Sequence, residues 1–283
     1  MSVNTILSPI VKPILGSILS DGGEPPPPVS PEVQLVFDRM SALSTTERNA
    51  IETFVDEMVF EGYWTDVFEF YAPCLNGVDF LTGFKVDTLT QSAQPGVHTP
   101  GQYIDFINNA QHLLEGRNLN AYSVQDLFMG CYVVMYEADT TGNSDLYGLE
   151  AGGLLTYLRW RGDDDNDFNE HMGNVATGAR SPANQRPTGD FVGLGRVGNN
   201  TYNLQPLAVT NLAVQPFNNH PTGFPVQWHG HNVDGTPAGG NMTNSRYSCM
   251  LSMIALNPPD TEKLRALVLE FLINIGVTGV PVP

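Results

Sequence analysis

The sequence predicts a mainly β protein, an antiparallel β-sandwich or jelly roll with a helical segment before it and one amphipathic helix after it. The composition, with 28 Gly, 21 Pro and only 15% charged residues, favours many short strands and turns. From about residue 74 the strand candidates follow one another without interleaved helices, which favours an antiparallel sandwich. Residues 246–256 are apolar on both faces of an extended chain, so this strand should be covered on both faces.

The chain begins with an apolar arm and a Pro-rich linker at residues 1–30. Pro9 and Pro13 interrupt the apolar spacing and prevent a regular helix. The apolar side chains of the arm are Ile6, Leu7, Ile10, Ile14, Leu15 and Ile18. Because disordered tails are usually poor in Ile and Leu, we expect the arm to dock into a partner, with disorder as the alternative. The four-proline run that follows predicts a semi-rigid, extended linker.

A helical segment is expected at residues 31–73. Ser44 and Glu47 have the spacing of a capping box, and an apolar stripe follows them until Gly62. We expect residues 63–72 to add a further helical turn or two before Pro73.

The β-sandwich is assigned to residues 74–258. Its better strand candidates are Tyr103 to Ile107, Phe128 to Tyr136, Leu154 to Trp160, Asp190 to Val197, Leu207 to Val214 and Arg246 to Leu256. Residues 215–245 are rich in Gly, Pro and Asn, and we expect them to form surface loops that could carry a binding site.

The last segment, residues 259–283, predicts an amphipathic helix and a tail packed on the sandwich. Asp260 or Thr261 can cap this helix after the two prolines, and Gly276 can end it. The stripe to be buried consists of Leu264, Leu267, Val268, Phe271 and Leu272.

Charge and cysteine content exclude several classes of function. Thirteen basic residues against 30 acidic ones give a net charge of -17, which argues against binding to nucleic acid or to an anionic membrane surface. No apolar run reaches the roughly 18 residues of a membrane span, and the N-terminus does not resemble a signal peptide. Cys74, Cys131 and Cys249 are widely spaced, so buried free thiols are expected.

Two stretches contain candidate ligands for a metal ion. Asp163, Asp165 and Asp167 alternate as in the first half of a calcium loop, but Phe168 and Asn174 stand where an EF-hand needs Gly and Glu. We interpret this stretch as a solvated acidic turn, with a looser Ca²⁺ site as the alternative. The pair His229 and His231 could begin a metal site but lacks further ligands, so no cofactor is expected.

An aromatic and imidazole-rich stretch could also contact sugar. Trp228, His229 and His231 lie together in a stretch that we expect to be exposed, and this composition is typical of glycan-stacking surfaces. The run at 193–198 matches GxGxxG by letter only, because no helix follows it.

The chain carries no recognisable catalytic motif, since neither GxSxG nor HExxH occurs. The carboxylates near predicted strands are Glu137, Asp139, Glu150 and Asp190. Sequence alone does not pair them as glycoside hydrolysis requires. We therefore expect a protein that is not an enzyme.

The order of these segments resembles virion proteins of tailed bacteriophages that carry a concanavalin- or LamG-like sandwich. In that group a helical lead-in ends in a spaced aromatic pattern, matched here by Trp64, Val67 and Phe70 or Tyr71. A final strand followed by a helix that ends in Gly is matched by residues 251–276. The arm resembles N-terminal docking arms of phage tail and head accessory proteins.

The resemblance implies a structural component of a tail, fibre or head, held on the particle surface by its arm after assembly in the host cytoplasm. Its partners would be other virion proteins and further copies of itself, with trimers common among fibre-like components. A lectin-like adhesin for host surface glycan is the alternative, and a polysaccharide hydrolase ranks last.

Overall fold

A computed structural model describes residues 28–283 except 78, 108–110, 119–125, 139–142, 153, 162–166, 175–178, 183–187, 206–207, 215–218, 222 and 239–241. The apolar positions of the arm, Ile6, Leu7, Ile10, Ile14, Leu15 and Ile18, lie outside the described residues. The helices are α1 (Pro31–Arg39), α2 (Thr45–Phe60) and α3 (Pro258–Ile275).

Two sheets form a β-sandwich, which confirms the predicted fold class. The first sheet has the order β13 (Ala208–Val214), β12 (Asn200–Gln205), β11 (Asp190–Val197), β6 (Leu127–Ala138), β17 (Met242–Ile254), β4 (Tyr103–Phe106) and β3 (Val97–Thr99), and β1 (Val67–Tyr71) also pairs with β17. The second has the order β10 (Ala179–Pro182), β9 (Asp167–Asn174), β8 (Leu154–Arg161), β7 (Asn143–Ala151), β14 (Pro225–Trp228), β5 (Leu113–Asn118) and β2 (Thr90–Gln91), and β15 (His231–Val233) pairs with β7 and with β16 (Thr236–Ala238). The pairs between described residues are antiparallel except β15 with β7.

Strand β17 lies at the centre of the first sheet and is covered on both faces, as its composition predicts. Met250 packs in the cluster between the two sheets, whereas Leu251 packs in the cluster between the first sheet and the helices. Strict alternation along β17 would place Tyr247 on the same face as Cys249, but the two side chains pack in different clusters. The register shifts between these two residues, and the irregularity turns Tyr247 towards the second sheet.

The helices form a layer on the outer face of the first sheet. Phe54 of α2 contacts Phe271 of α3 and Phe70 of β1, with ring centroids 5.0 and 4.8 Å apart. The ring planes are tilted by 42° and 37°, and close aromatic contacts add to the free energy gained by burial. The molecule therefore has three layers, in the order helices, first sheet, second sheet.

Both long helices begin and end with capping interactions. Ser44 and Glu47 form the predicted capping box of α2. The cap of α3 is Asn257 rather than Asp260 or Thr261, because Pro258 and Pro259 already occupy the first helical positions. Gly276 ends α3 in the left-handed conformation, with φ of 95°, as expected.

Two segment assignments are corrected by the structure. Residues 63–72 do not extend the helical segment: a 3₁₀ turn at Trp64–Asp66 leads directly into β1. The residues of β1 other than Glu69 are Val, Phe or Tyr, which favour an extended chain, and the pairing of β1 with β17 outweighs their helical spacing. Residues 215–245 are not all loop, because they contain β14, β15, β16 and the start of β17. The six strands predicted with the best signals are all present within a few residues.

Two further findings concern the cysteine side chains and the length of the apolar helices. Cys74, Cys131 and Cys249 are free and buried, as expected. No helix in the described part of the chain is long and apolar enough to cross a membrane.

Candidate functional site

An exposed surface of mixed apolar and acidic character lies on α2 close to Ser30, the residue before α1. The Ser30 hydroxyl donates to Asp56 Oδ1 at 2.7 Å, which holds the start of α1 against α2. One helical turn beyond Asp56, Val59 and Phe60 are 39% and 82% exposed. We call Asp56, Glu57, Val59, Phe60 and Glu61 the arm-exit surface.

This surface combines apolar and acidic side chains. Asp56, Glu57 and Glu61 are exposed around the two apolar residues. Lys263 of α3 approaches Glu61 at 3.7 Å, but its side chain is itself 59% exposed, so the pair is well solvated. The surface therefore offers an exposed aromatic ring within a negative field.

The arm itself is untested by the described residues. Its docking role stays a prediction. The structure shows only the position of Ser30, which follows the arm and linker in the sequence. That position lies on the helical layer, which covers the face of the first sheet opposite to the second sheet.

Trp228 was expected to be exposed, and this is wrong. Its side chain is fully buried between the sheets, where its ring lies 4.9 Å from that of Tyr147. The indole Nε1 donates to Glu115 Oε1 at 3.1 Å, so the polar edge of the ring is also satisfied inside the protein. Trp228 cannot serve as a sugar-stacking platform in this conformation.

His229 is likewise a core residue and not a loop histidine. It stacks on Phe106 with ring centroids 4.7 Å apart, and its Nδ1 lies 2.6 Å from Ser245 Oγ. The backbone φ is 62°, which turns the chain out of β14. The N–H groups of His229 and Gly230 then donate to carbonyls of β7.

The remaining predicted ligands are not brought together by the described residues. His231 begins β15 and Asp167 begins β9, but neither side chain is among those described. Asp163 and Asp165 lie outside the described residues. Among the described side chains, no group of three His, Cys, Asp or Glu residues could hold a metal ion.

A cluster of buried carboxylates, formed by Glu69, Asp87 and Glu115, was not predicted from the sequence. Glu69 accepts hydrogen bonds from four backbone N–H groups, those of Phe70, Lys85, Val86 and Asp87. The Tyr71 hydroxyl donates to Asp87 Oδ2 at 2.6 Å, and Glu115 accepts from Trp228. No local motif marks these residues, because most of their partners lie far away in the sequence.

Burial dominates the electrostatics of this cluster. It raises the pKa of Glu69, although the four backbone N–H donors oppose the shift. Burial and then the neighbouring Glu115 carboxyl raise the pKa of Tyr71 far above its ordinary value. Glu69, Asp87 and Glu115 are at most 8% exposed, so the cluster holds the loop 82–89 in place and is closed to a substrate.

The other carboxylates considered for acid/base chemistry are not paired by the described residues either. Asp190 binds Arg265 of α3, and Glu150 lies at the end of β7. The side chain of Glu137 is not described, and Asp139 lies outside the described residues. Gly193 and Gly195 lie within β11, where they leave space for the rings of Phe128 and Tyr202.

No protein-family model matches this chain, and no curated protein sequence matches it. Among solved structures, Trypanosoma rangeli sialidase in complex with sialic acid is similar over 71% of this chain and 32% of that chain, with a TM-score of 0.50 and 15% identity. A mutant of that sialidase with trans-sialidase activity is similar over 81% of this chain and 40% of its own, with a TM-score of 0.53 and 13% identity. The receptor binding domain of botulinum neurotoxin C/D mosaic serotype is similar over 71% of this chain and 51% of its own, with a TM-score of 0.51 and 5% identity.

These likenesses establish the sandwich fold, and this chain spans about a third to a half of the length of the proteins it matches. They also correct the expectation that the chain is not an enzyme. The absence of a motif was the basis for that expectation, but the same fold occurs within sialidases, which are enzymes. Fold and motif content therefore do not exclude catalysis.

Proposed function

We propose that this chain is a structural component of a tailed-phage particle, in which the arm attaches the sandwich to the virion surface. One observation supports this most directly: Ser30, which follows the arm and linker in the sequence, lies on the helical layer and binds Asp56. The second sheet lies on the opposite side of the molecule. An anchor and a displayed face on opposite sides suit a surface component of a particle.

The arm has enough apolar surface to attach the sandwich stably. Full burial of five of its Ile and Leu side chains would contribute roughly 7–15 kcal/mol before the cost of ordering the arm. The partner implied by this reading is an apolar surface within the particle, on another virion protein or on a further copy of this chain.

Deletion of residues 2–20 tests the attachment. The truncated chain should keep its unfolding transition but no longer co-sediment with particles assembled in its presence. A full-length chain with Ser8→Ala and Ser17→Ala is the matched control and should be incorporated normally. Normal incorporation of the truncated chain would refute the proposal.

Binding of host surface glycan is the second candidate. The observation that favours it is the likeness to a sialidase bound to sialic acid and to a toxin receptor binding domain. Trp228 is unsuited to the test because it is buried, so the substitution to make is Asp165→Ala in the acidic stretch. Glycan binding that needs Ca²⁺ and is lost in this variant would support the candidate, whereas a glycan array without signal would count against it.

A further inference from the structure

We propose that the arm-exit surface of one copy receives the arm of a second copy of this chain, so that copies are linked by exchanged arms. This inference rests on the proposed function, because it identifies the acceptor of the same arm. The candidate acceptor is the apolar pair Val59 and Phe60 with the acidic residues around it.

The first argument is the exposure of Phe60. A phenylalanine that is 82% exposed at the end of a helix, next to a 39% exposed Val59, leaves apolar surface in water. The other face of the same helix is well packed, since Phe54, Val55 and Met58 are buried. The exposed pair is therefore not a failure of helix packing, and it fits an apolar side chain supplied from outside.

The second argument is charge complementarity. Residues 1–20 contain Lys12 and none of the 30 acidic residues of the chain. The arm is thus cationic and apolar, in a protein whose net charge is -17. Asp56, Glu57 and Glu61 place carboxylates around the exposed ring, so the surface attracts the charge that the arm carries.

The third argument concerns which copy supplies the arm. Ser30 fixes the described chain beside Asp56, one helical turn from Val59 and Phe60. A four-proline run precedes it, and four residues in the polyproline II conformation span about 12 Å. The sequence therefore predicts a stiff spacer that carries the apolar part of the arm away from Ser30, which favours the surface of a neighbouring copy.

Sedimentation velocity on the full-length chain tests the proposal, with Phe60→Ser as the variant and Val282→Ser as the control. Val282 is 88% exposed in the C-terminal tail, outside the arm-exit surface. The wild type should associate with rising concentration, and Phe60→Ser should raise the midpoint concentration by about tenfold or more. Lys12→Glu should act in the same direction, whereas Val282→Ser should leave the midpoint unchanged. Equal midpoints for Phe60→Ser and the wild type would overturn the proposal.

Cross-linking then shows which copy supplies the arm. A carbodiimide joins the Lys12 amine to nearby carboxylates in an equal mixture of ¹⁵N-labelled and unlabelled full-length chains. Cross-links between Lys12 and Asp56, Glu57 or Glu61 should include peptides of mixed label. Products of a single label only, or no product at these carboxylates, would overturn the exchange between copies.

The experiments distinguish a failure of the arm exchange between copies from a failure of the proposed function. If the chain does not self-associate but deletion of residues 2–20 still releases it from particles, the arm binds another virion protein and only the present inference is wrong. If the truncated chain is still incorporated, the proposed function is wrong whatever the self-association shows.

Discussion

Arg265 of α3 binds Asp190 of β11 through two parallel hydrogen bonds, from Nε to Oδ1 at 2.8 Å and from Nη2 to Oδ2 at 2.5 Å. The two side chains are only 16% and 6% exposed. Two-point geometry of this kind is typical of arginine with a carboxylate and is stronger than a single neutral hydrogen bond. The pair fixes the C-terminal helix to the first sheet at a defined position along β11.

Arg265→Met should lower the free energy of unfolding by about 2–3 kcal/mol, because it leaves the largely buried Asp190 carboxylate without its counter-charge. Urea unfolding at pH 7 measures the change. Lys263→Met is the control: its side chain is 59% exposed and its partners lie 3.5 and 3.7 Å away, so its effect should stay below about 0.5 kcal/mol. Equal losses in the two variants would contradict the structural role of the pair.

Gly195→Ala should destabilise the first sheet by about 1–3 kcal/mol through overpacking. A Cβ at this position would lie 2.1 Å from Cζ of Tyr202, whose ring is packed under α3. Thermal unfolding measures the loss of stability in Gly195→Ala. A double-mutant cycle with Tyr202→Leu then tests whether contact with the Tyr202 ring causes this loss. The cost of Gly195→Ala should fall clearly in the Tyr202→Leu background, and an unchanged cost would show that the ring is not what the glycine accommodates.

Glu47 should make stability depend on acid pH. Burial opposes ionisation of this side chain, but hydrogen bonds from Ser44 and Asn76 outweigh it and lower the pKa of Glu47 below the model-compound value of 4.5. A carboxyl whose pKa is lower in the folded state stabilises the protein above the unfolded pKa. This contribution is lost as the pH falls from about 4.5 through the folded pKa.

Glu47→Gln should therefore cost about 1–2 kcal/mol at pH 7, with a difference from the wild type that shrinks below about pH 4.5. Urea unfolding at pH 7, 5, 4 and 3.5 follows the difference. The exposed Glu270→Gln is the control and should lie within about 0.5 kcal/mol of the wild type at pH 7. If the difference in the free energy of unfolding between Glu47→Gln and the wild type increases towards acid pH, the pKa of Glu47 is not lowered in the folded state.

Local patterns were sufficient to predict the layers of this fold. The capping box at Ser44 and the apolar stripe of α3 use short-range physics, and the capping box appears as predicted. Four of the five stripe residues are buried, whereas Leu267 is only half-buried and the neighbouring Leu269 is buried instead. The two-sided apolar run of β17 correctly implied a covering layer on each face. Strict side-chain alternation fails at Tyr247, because irregularities in the pairing of β17 with β6 reverse the side-chain direction there and no sequence pattern marks them.

The candidate sites were harder to predict because burial of polar residues depends on distant partners. The stretch around Trp228 has the composition of an exposed loop, yet Glu115 accepts from its indole and Ser245 lies next to His229. The cluster around Glu69 depends on N–H groups supplied by residues 85–87. Hydrogen bonds to partners far away in the sequence allow these polar residues to be buried in the core. The spacing of residues in the sequence does not predict such partners.

Trp228→Ala should lower the free energy of unfolding by about 3–5 kcal/mol, since it removes a fully buried ring between the sheets. Trp228→Phe keeps most of the volume but removes the Nε1 donor to Glu115, and it should cost about 1–3 kcal/mol. Phe60→Ala is the matched control at a ring that is 82% exposed, and it should stay within about 0.5 kcal/mol at concentrations where the chain is monomeric.

Glycan binding measured on the same three variants connects this ring to function. Because Trp228 lies in the core, any loss of binding in Trp228→Ala should accompany a loss of folded protein and should disappear at a temperature where the variant is fully folded. A variant that is as stable as the wild type yet no longer binds glycan would place the indole at the binding surface. That result would contradict the packing of Trp228 against Tyr147 and Glu115.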